Sequence, residues 1–118
     1  MAVIAQTDFR GTAGATTIAR TVLTASDTLV WNGDGTRQIL ELYNTTASPV
    51  IVTIDGSLST NITPDGYGGT IDVSAGKAIT VPASSTVSVE LGKISAFLQG
   101  TVAVTGGVGV TAHLYTLA

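Results

Sequence analysis

The sequence predicts an all-β domain whose expected architecture is a β-sandwich, a jelly roll being one form it takes. Three observations lead there. Thr, Val and Ile supply 42 of the 118 residues, whereas Glu, Lys, Arg, Gln and Met together supply 11. β-branched side chains lose rotamer freedom in a helix and pack well on a pleated surface, so this balance favours strands and leaves little or no helix. Short strand-like runs recur along the whole chain, and Gly, Pro, Asn, Asp or Ser bounds each one. No stretch repeats another as a solenoid would, and a closed barrel is the main rival to the sandwich.

Taken in order, residues 1–16 stand apart from residues 17–118, which read as one β domain. Phe9 and Arg10 are the only large side chains near Gly11, Thr12, Ala13 and Gly14, in a segment without clear period. Such a segment buries too little to fix itself, so it reads as an extended N-terminal arm that orders on a neighbour or frays. Residues 17–24 and 28–31 alternate as strands, and Asn32-Gly33-Asp34-Gly35 supplies the left-handed backbone of a hairpin loop. Residues 38–44 place Leu40 and Leu42 on one face and Ile39, Glu41 and Tyr43 on the other. Val50-Ile51-Val52 is continuously apolar and predicts a strand covered on both faces.

Residues 56–69 form a long loop around a short strand at 59–63, and loops this long in small domains are usually functional or an interface. Residues 70–73, 78–81 and 86–91 read as further strands, with Pro82 ending its strand or placing it at an edge. Residues 94–98 read as another. Near the C-terminus, a three-residue loop at Thr105-Gly106-Gly107 would pair Val104 with Val108 and Val102 with Val110. That register collects Val102, Val104, Val108, Val110, Ala112 and Leu114 on one face.

Charge and cysteine usage narrow the function. The absence of cysteine excludes disulfides, zinc-thiolate sites and a cysteine nucleophile. A net charge of −3 without a basic cluster argues against nucleic acid, which demands phosphate-neutralising Lys and Arg. Apolar stretches are broken after a few residues, so no membrane-spanning helix is expected. The first residues lack the pattern of a secretory signal, and synthesis in the cytoplasm is the expectation. Five Lys/Arg and eight Asp/Glu give about half the charge density of an ordinary domain, which suits a surface that other subunits cover.

The chemistry-bearing residues read mostly as structural. His113 is the single histidine, placed beside Thr111 and Tyr115 on the polar face of the last strand, and no Gly-x-Ser-x-Gly elbow accompanies it. Asp55 with Asp72 or Glu90 is the carboxylate pairing to weigh for glycosidase chemistry, and solvated positions are the ordinary reading. Asp27, Asn32 and Asp34 lack the order and terminal Glu of a calcium loop. The glycine clusters lack the Lys-Ser/Thr of a phosphate loop. The expectation is therefore a non-enzyme with no catalytic, metal or cofactor-binding residues. Trp31 is assigned to the core, and Phe9, Arg10, Tyr67 and Tyr115 are the interface candidates, Tyr67 being the best exposed anchor.

Several segments carry a resemblance: Leu40-Glu41-Leu42-Tyr43-Asn44-Thr45-Thr46, Val52-Thr53-Ile54-Asp55-Gly56, Ile71-Asp72-Val73-Ser74-Ala75-Gly76, and the Thr/Val/Gly run from Gly100 to Val110. In texture, from Leu23 onward, the chain resembles small head-associated proteins of tailed bacteriophages. The resemblance implies a capsid decoration (cement) protein on the virion surface. Such a protein binds the major capsid protein, bridges capsomers and forms a homo-oligomer, with a trimer favoured, and has no catalytic residues, nucleic-acid partner or membrane partner. The rival from another class is a carbohydrate-binding or adhesive β-sandwich of a phage fibre or cell surface, with Tyr67 and Trp31 lining one groove.

Overall fold

Period-two alternation becomes two sheets around one core. The computed structural model describes residues 3–9, 16–33, 37–58, 61–62, 66, 68–69 and 71–117. Among them the chain is all-β apart from one short 3-10 helix. The order is β1 (Gln6–Asp8), β2 (Thr21–Val22), β3 (Ser26–Leu29), β4 (Arg37–Asn44), β5 (Val50–Gly56), β6 (Asn61–Ile62), β7 (Ile71–Asp72), β8 (Lys77–Val81), β9 (Thr86–Glu90), the 3-10 helix Leu91–Phe97, β10 (Val102–Thr105) and β11 (Val110–Leu117).

The first sheet runs β1-β11-β4-β9, with β2 also against β11, and the second runs β3-β10-β5-β8. β6 and β7 form a separate two-stranded pair. Strand pairing is antiparallel except between β1 and β11, where Gln6, Thr7 and Asp8 lie beside Leu114, Tyr115 and Thr116. Alternate residues of the first sheet, such as Leu40, Leu42, Ala112 and Leu114, share one buried cluster with Val52, Ile54, Val102, Val104 and Val81 of the second.

Polar side chains close the core where the strands end. Gln38 is fully buried; its Oε1 accepts from the Asn32 amide at 2.7 Å and its Nε2 donates to the Val30 carbonyl at 3.1 Å. Thr116 Oγ1 donates to Gln6 Oε1 at 2.9 Å beside them. Asn44, at the far end of β4 from Gln38, is buried and bonded to the 46–48 turn and to β8. Each buried polar group would cost free energy if left without these partners.

Several expectations are corrected. The described part of residues 1–16 is no outlying arm: β1 is a strand of the first sheet, Ile4 is 1% exposed in the core, and the Ile4 amide bonds to Thr28 at 2.8 Å. The sequence reading missed that Ile4 and Thr7, three residues apart, both find burial because the segment passes from one sheet to the other. Within residues 17–24 only Thr21 and Val22 are strand. β5 is covered on one face only, with Ile51 59% exposed and Val52 buried.

The two expected hairpins are crossings between sheets. Asn32 and Gly33 lie between β3 and β4, which belong to different sheets, and residues 34–36 lie outside the described set. β10 likewise pairs with β3 and β5 while β11 pairs with β4, so Val102 and Val104 never meet Val110 and Val108 as ladder partners. Val102, Val104, Val110, Ala112 and Leu114 are nonetheless all buried, because alternation specifies a face and not a partner strand. Val108 leaves the set at 63% exposure in the crossing. Gly106 makes that crossing possible: its φ is +76°, and a Cβ there would stand 2.8 Å from the Ile51 carbonyl oxygen.

Residues 94–98 are not a strand. Leu91, Ile94 and Leu98 turn toward the core at a spacing of three then four, a helical stripe, whereas Gly92 and Lys93 are exposed. Pro82 follows β8 directly, and β8 is an edge strand, as its position predicted. Trp31 packs against the core, also as predicted, with its Nε1 buried and unpartnered among the described residues.

Candidate interaction surface

The outward face of the first sheet gathers Tyr43, His113 and Tyr115 with Arg37, Glu41 and Glu90. Because inward residues of β4 and β11 are even-numbered, the odd-numbered ones project outward together. Pairing sets Tyr43 beside Thr111, Glu41 beside His113 and Ile39 beside Tyr115. β9 extends these rows, with Thr86 next to Tyr43, Ser88 next to Glu41 and Glu90 next to Ile39. Val22 of β2 continues the first row at 71% exposure.

A short aromatic ladder runs along this face. The His113 and Tyr115 rings are stacked, with centroids 6.3 Å apart and planes at 7°. Phe9 sits 5.9 Å from Tyr115 at 44°. The Phe9 amide donates to the Thr116 carbonyl at 2.9 Å, which holds the end of the N-terminal strand in place. Partial burial raises the Tyr115 phenol above its ordinary pKa of 10.0; the negative charge of Glu41 adds to the rise, and Arg20 works against it.

The His113 imidazole lies in this row with its side chain 13% exposed and its Nδ1 3.7 Å from Glu41 Oε1. That separation is too long for a hydrogen bond, and Nδ1 is buried without a partner among the described residues. At the margin of the face, Arg37 Nε donates to Glu90 Oε1 at 3.2 Å. Asp55 belongs to the outward set of the second sheet, opposite Ala103, so it and Glu90 project from different sheets. Asp72 is engaged by Ser74, whose amide and hydroxyl donate to it at 2.9 and 2.6 Å, and these bonds lower its pKa. Asp27 accepts from the Thr24 amide and hydroxyl at 2.7 and 2.8 Å. No cluster of three metal-ligating side chains occurs among the described residues. No helix there is long and apolar enough to cross a membrane.

Of the four interface candidates, the structure brings Phe9 and Tyr115 into contact, while Arg10 and Tyr67 lie outside the described residues. The sequence reading missed Glu41, Tyr43 and Val22 as parts of the same surface. The signal for the first two was present: the alternation in residues 38–44 already put them on one face with Ile39. What was lacking was the pairing of β4 with β11, which sets that row against His113 and Tyr115. No protein-family model, curated protein or solved structure matches this chain.

Proposed function

We propose that this chain is a structural, non-enzymatic virion protein: a decoration (cement) protein that assembles with copies of itself and binds the major capsid protein on the outside of a tailed-phage head. The observation that carries the reading is the thin coat of charge. The chain has only thirteen Lys, Arg, Asp and Glu residues for 6343 Å² of accessible surface, about half the proportion of an ordinary domain, and one of them, Asp27, is buried. Val22, Tyr43 and Ile51 stand exposed on the outward sides of the sheets. Surfaces of this kind lower their free energy when another protein covers them.

The strand order supports the finer architectural reading, a β-sandwich of jelly-roll type. The main strands from β2 onward distribute as β2-β11-β4-β9 and β3-β10-β5-β8, and every connection crosses between sheets except the one from β5 to β8, which carries the β6-β7 pair. That alternation is how a jelly roll winds, and the architecture recurs in capsid and lectin domains. Fold alone assigns no function, so it adds to the charge argument without replacing it. The carbohydrate-binding rival loses support from Trp31, which packs against the core instead of lining an open groove.

In this reading each copy bridges neighbouring capsomers and adds apolar and polar contacts, so separating them exposes more surface. The outward face around Tyr43, His113 and Tyr115 replaces the N-terminal arm as the leading contact element. The test adds purified protein to heads that lack it and measures bound copies and heat resistance. Saturable binding with raised heat resistance is expected, and absence of saturable binding ends the cement reading.

A further inference from the structure

We infer that β9 is a self-pairing edge, at which a second copy of this chain adds its own β9 antiparallel across a two-fold axis at Ser88. An open edge offers unpaired N–H and C=O groups, and folded proteins blunt such edges with short strands, Lys, Pro, bulges or covering chain. Here the β3 edge of the second sheet is met by the N-terminal segment, through a bridge from Val3 to Thr28 and the bond from the Ile4 amide. The β8 edge begins with Lys77 and ends at Pro82. In the first sheet, the edge beyond β11 consists of β1 and β2, which are three and two residues long.

Among the described residues, β9 carries none of these devices. It has five residues, Thr86-Val87-Ser88-Val89-Glu90, without Lys or Pro, and its register with β4 is continuous. It ends the strand order of its sheet, and no backbone bond reaches its free side among the described residues. Thr86 and Ser88 are exposed, while Val87 and Val89 are only half-buried against the core.

Alternation of the ladder shows which groups are free. The Asn44 amide donates to the Ser85 carbonyl at 2.9 Å, which makes Asn44 and Ser85 a hydrogen-bonded pair in line with the β4-β9 register. Every second pair is of this kind, so Leu42 with Val87 and Leu40 with Val89 are bonded as well. The N–H and C=O groups of Thr86, Ser88 and Glu90 therefore point away from β4.

The occupant follows from self-complementarity. With the axis at Ser88, Thr86 faces the partner's Glu90, Val87 faces the partner's Val89, and Ser88 faces the partner's Ser88. The three outward residues then bond to three outward residues, and the two valines finish their burial against each other. No like charges meet, whereas an axis at Glu90 would oppose two carboxylates. Glu90 is already held by Arg37 at 3.2 Å, so it enters the contact neutralised. A two-fold contact closes at two copies, so a trimer would have to be built through another surface. The inference stands apart from the virion reading, and head binding does not bear on it.

The test uses the full chain. Sedimentation is expected to show a dimer whose population rises with concentration. As it forms, the Thr86, Ser88 and Glu90 amides slow in hydrogen exchange, whereas those of Val87 and Val89 are protected throughout. Ser88→Lys and Ser88→Glu each place like charges across the axis and raise the dimer dissociation constant about tenfold or more, with unchanged circular dichroism. Mixing the two variants restores pairing as a heterodimer. A wild-type chain that stays monomeric at its highest soluble concentration overturns the inference and leaves the edge to a strand of another protein. So does a dimer that tolerates Ser88→Lys, or that slows amides elsewhere.

Discussion

The side-chain amide of Asn44 donates to the main-chain carbonyl of Val81 at 3.0 Å, tying the end of β4 in the first sheet to the end of β8 in the second. The same amide donates to Ser48 O at 2.8 Å, while Oδ1 accepts from the Thr46 amide at 2.8 Å and hydroxyl at 2.7 Å. One buried side chain thus satisfies groups from three places. Asn44→Ala is expected to lower stability by about 2–3 kcal/mol, since it strands a buried carbonyl as well as removing bonds. Asn44→Asp should lose more at neutral pH, because a carboxylate cannot donate to either carbonyl, and should recover part of that loss in acid. Urea unfolding followed by Trp31 fluorescence measures both.

Ile4 tests whether the N-terminal strand belongs to the domain. It is buried in the shared core, so Ile4→Ala is expected to cost about 2–4 kcal/mol through lost apolar contact and the cavity left behind. Chemical denaturation reads the change directly. A segment that hung free of the domain would leave the unfolding midpoint where it was.

Gly56 ends β5 where a Cβ would overlap the backbone of Leu98 and Gln99. Main chain yields less readily than a flexible side chain. Gly56→Ala is therefore expected to destabilise by about 3 kcal/mol, the upper range for overpacking, and calorimetry should show the fall in melting temperature.

Two groups give the fold opposite pH dependences. The Tyr115 pKa is raised in the folded state, so its contribution is complete below the ordinary value of 10.0 and is lost as pH climbs through the higher folded value. Absorbance titration of phenolate should show a late-titrating tyrosine that Tyr115→Phe removes. The Asp72 pKa is lowered, so its contribution is complete above the ordinary value of 3.8 and is lost as pH falls through the lower folded value. A proton-NMR titration of Asp72 should place its midpoint below 3.8, and Ser74→Ala should move it back up.

Much of the fold was legible because burial and alternation are local. Arg37–Asn44, Lys77–Val81 and Thr86–Glu90 stand where Leu40, Ile79 and Val87 with their alternate neighbours placed them. Connectivity was not legible in the same way. A glycine-rich turn after a strand allows a return in the same sheet or a passage to the facing one, and both bury Val102, Val104 and Val110 equally well. The segment Leu91–Phe97 was misread because a short apolar run fits a strand until its spacing of three and four is set against a core. Phe9 and Tyr115 were named separately as contact residues; their contact depends on a parallel pairing between residues more than a hundred positions apart, which no short-range pattern encodes.

That parallel pairing also governs when the molecule can finish forming. Gln6–Asp8 are translated more than a hundred residues ahead of their partners Leu114–Thr116, so the cluster that buries Ile4 cannot close until β11 has left the ribosome. Meeting across more than a hundred residues is entropically slow, and until it happens the apolar core stands unfilled in the nascent polypeptide. A chain stopped before β11 is therefore expected to aggregate where the full chain stays dispersed, which pelleting of the two translation products measures.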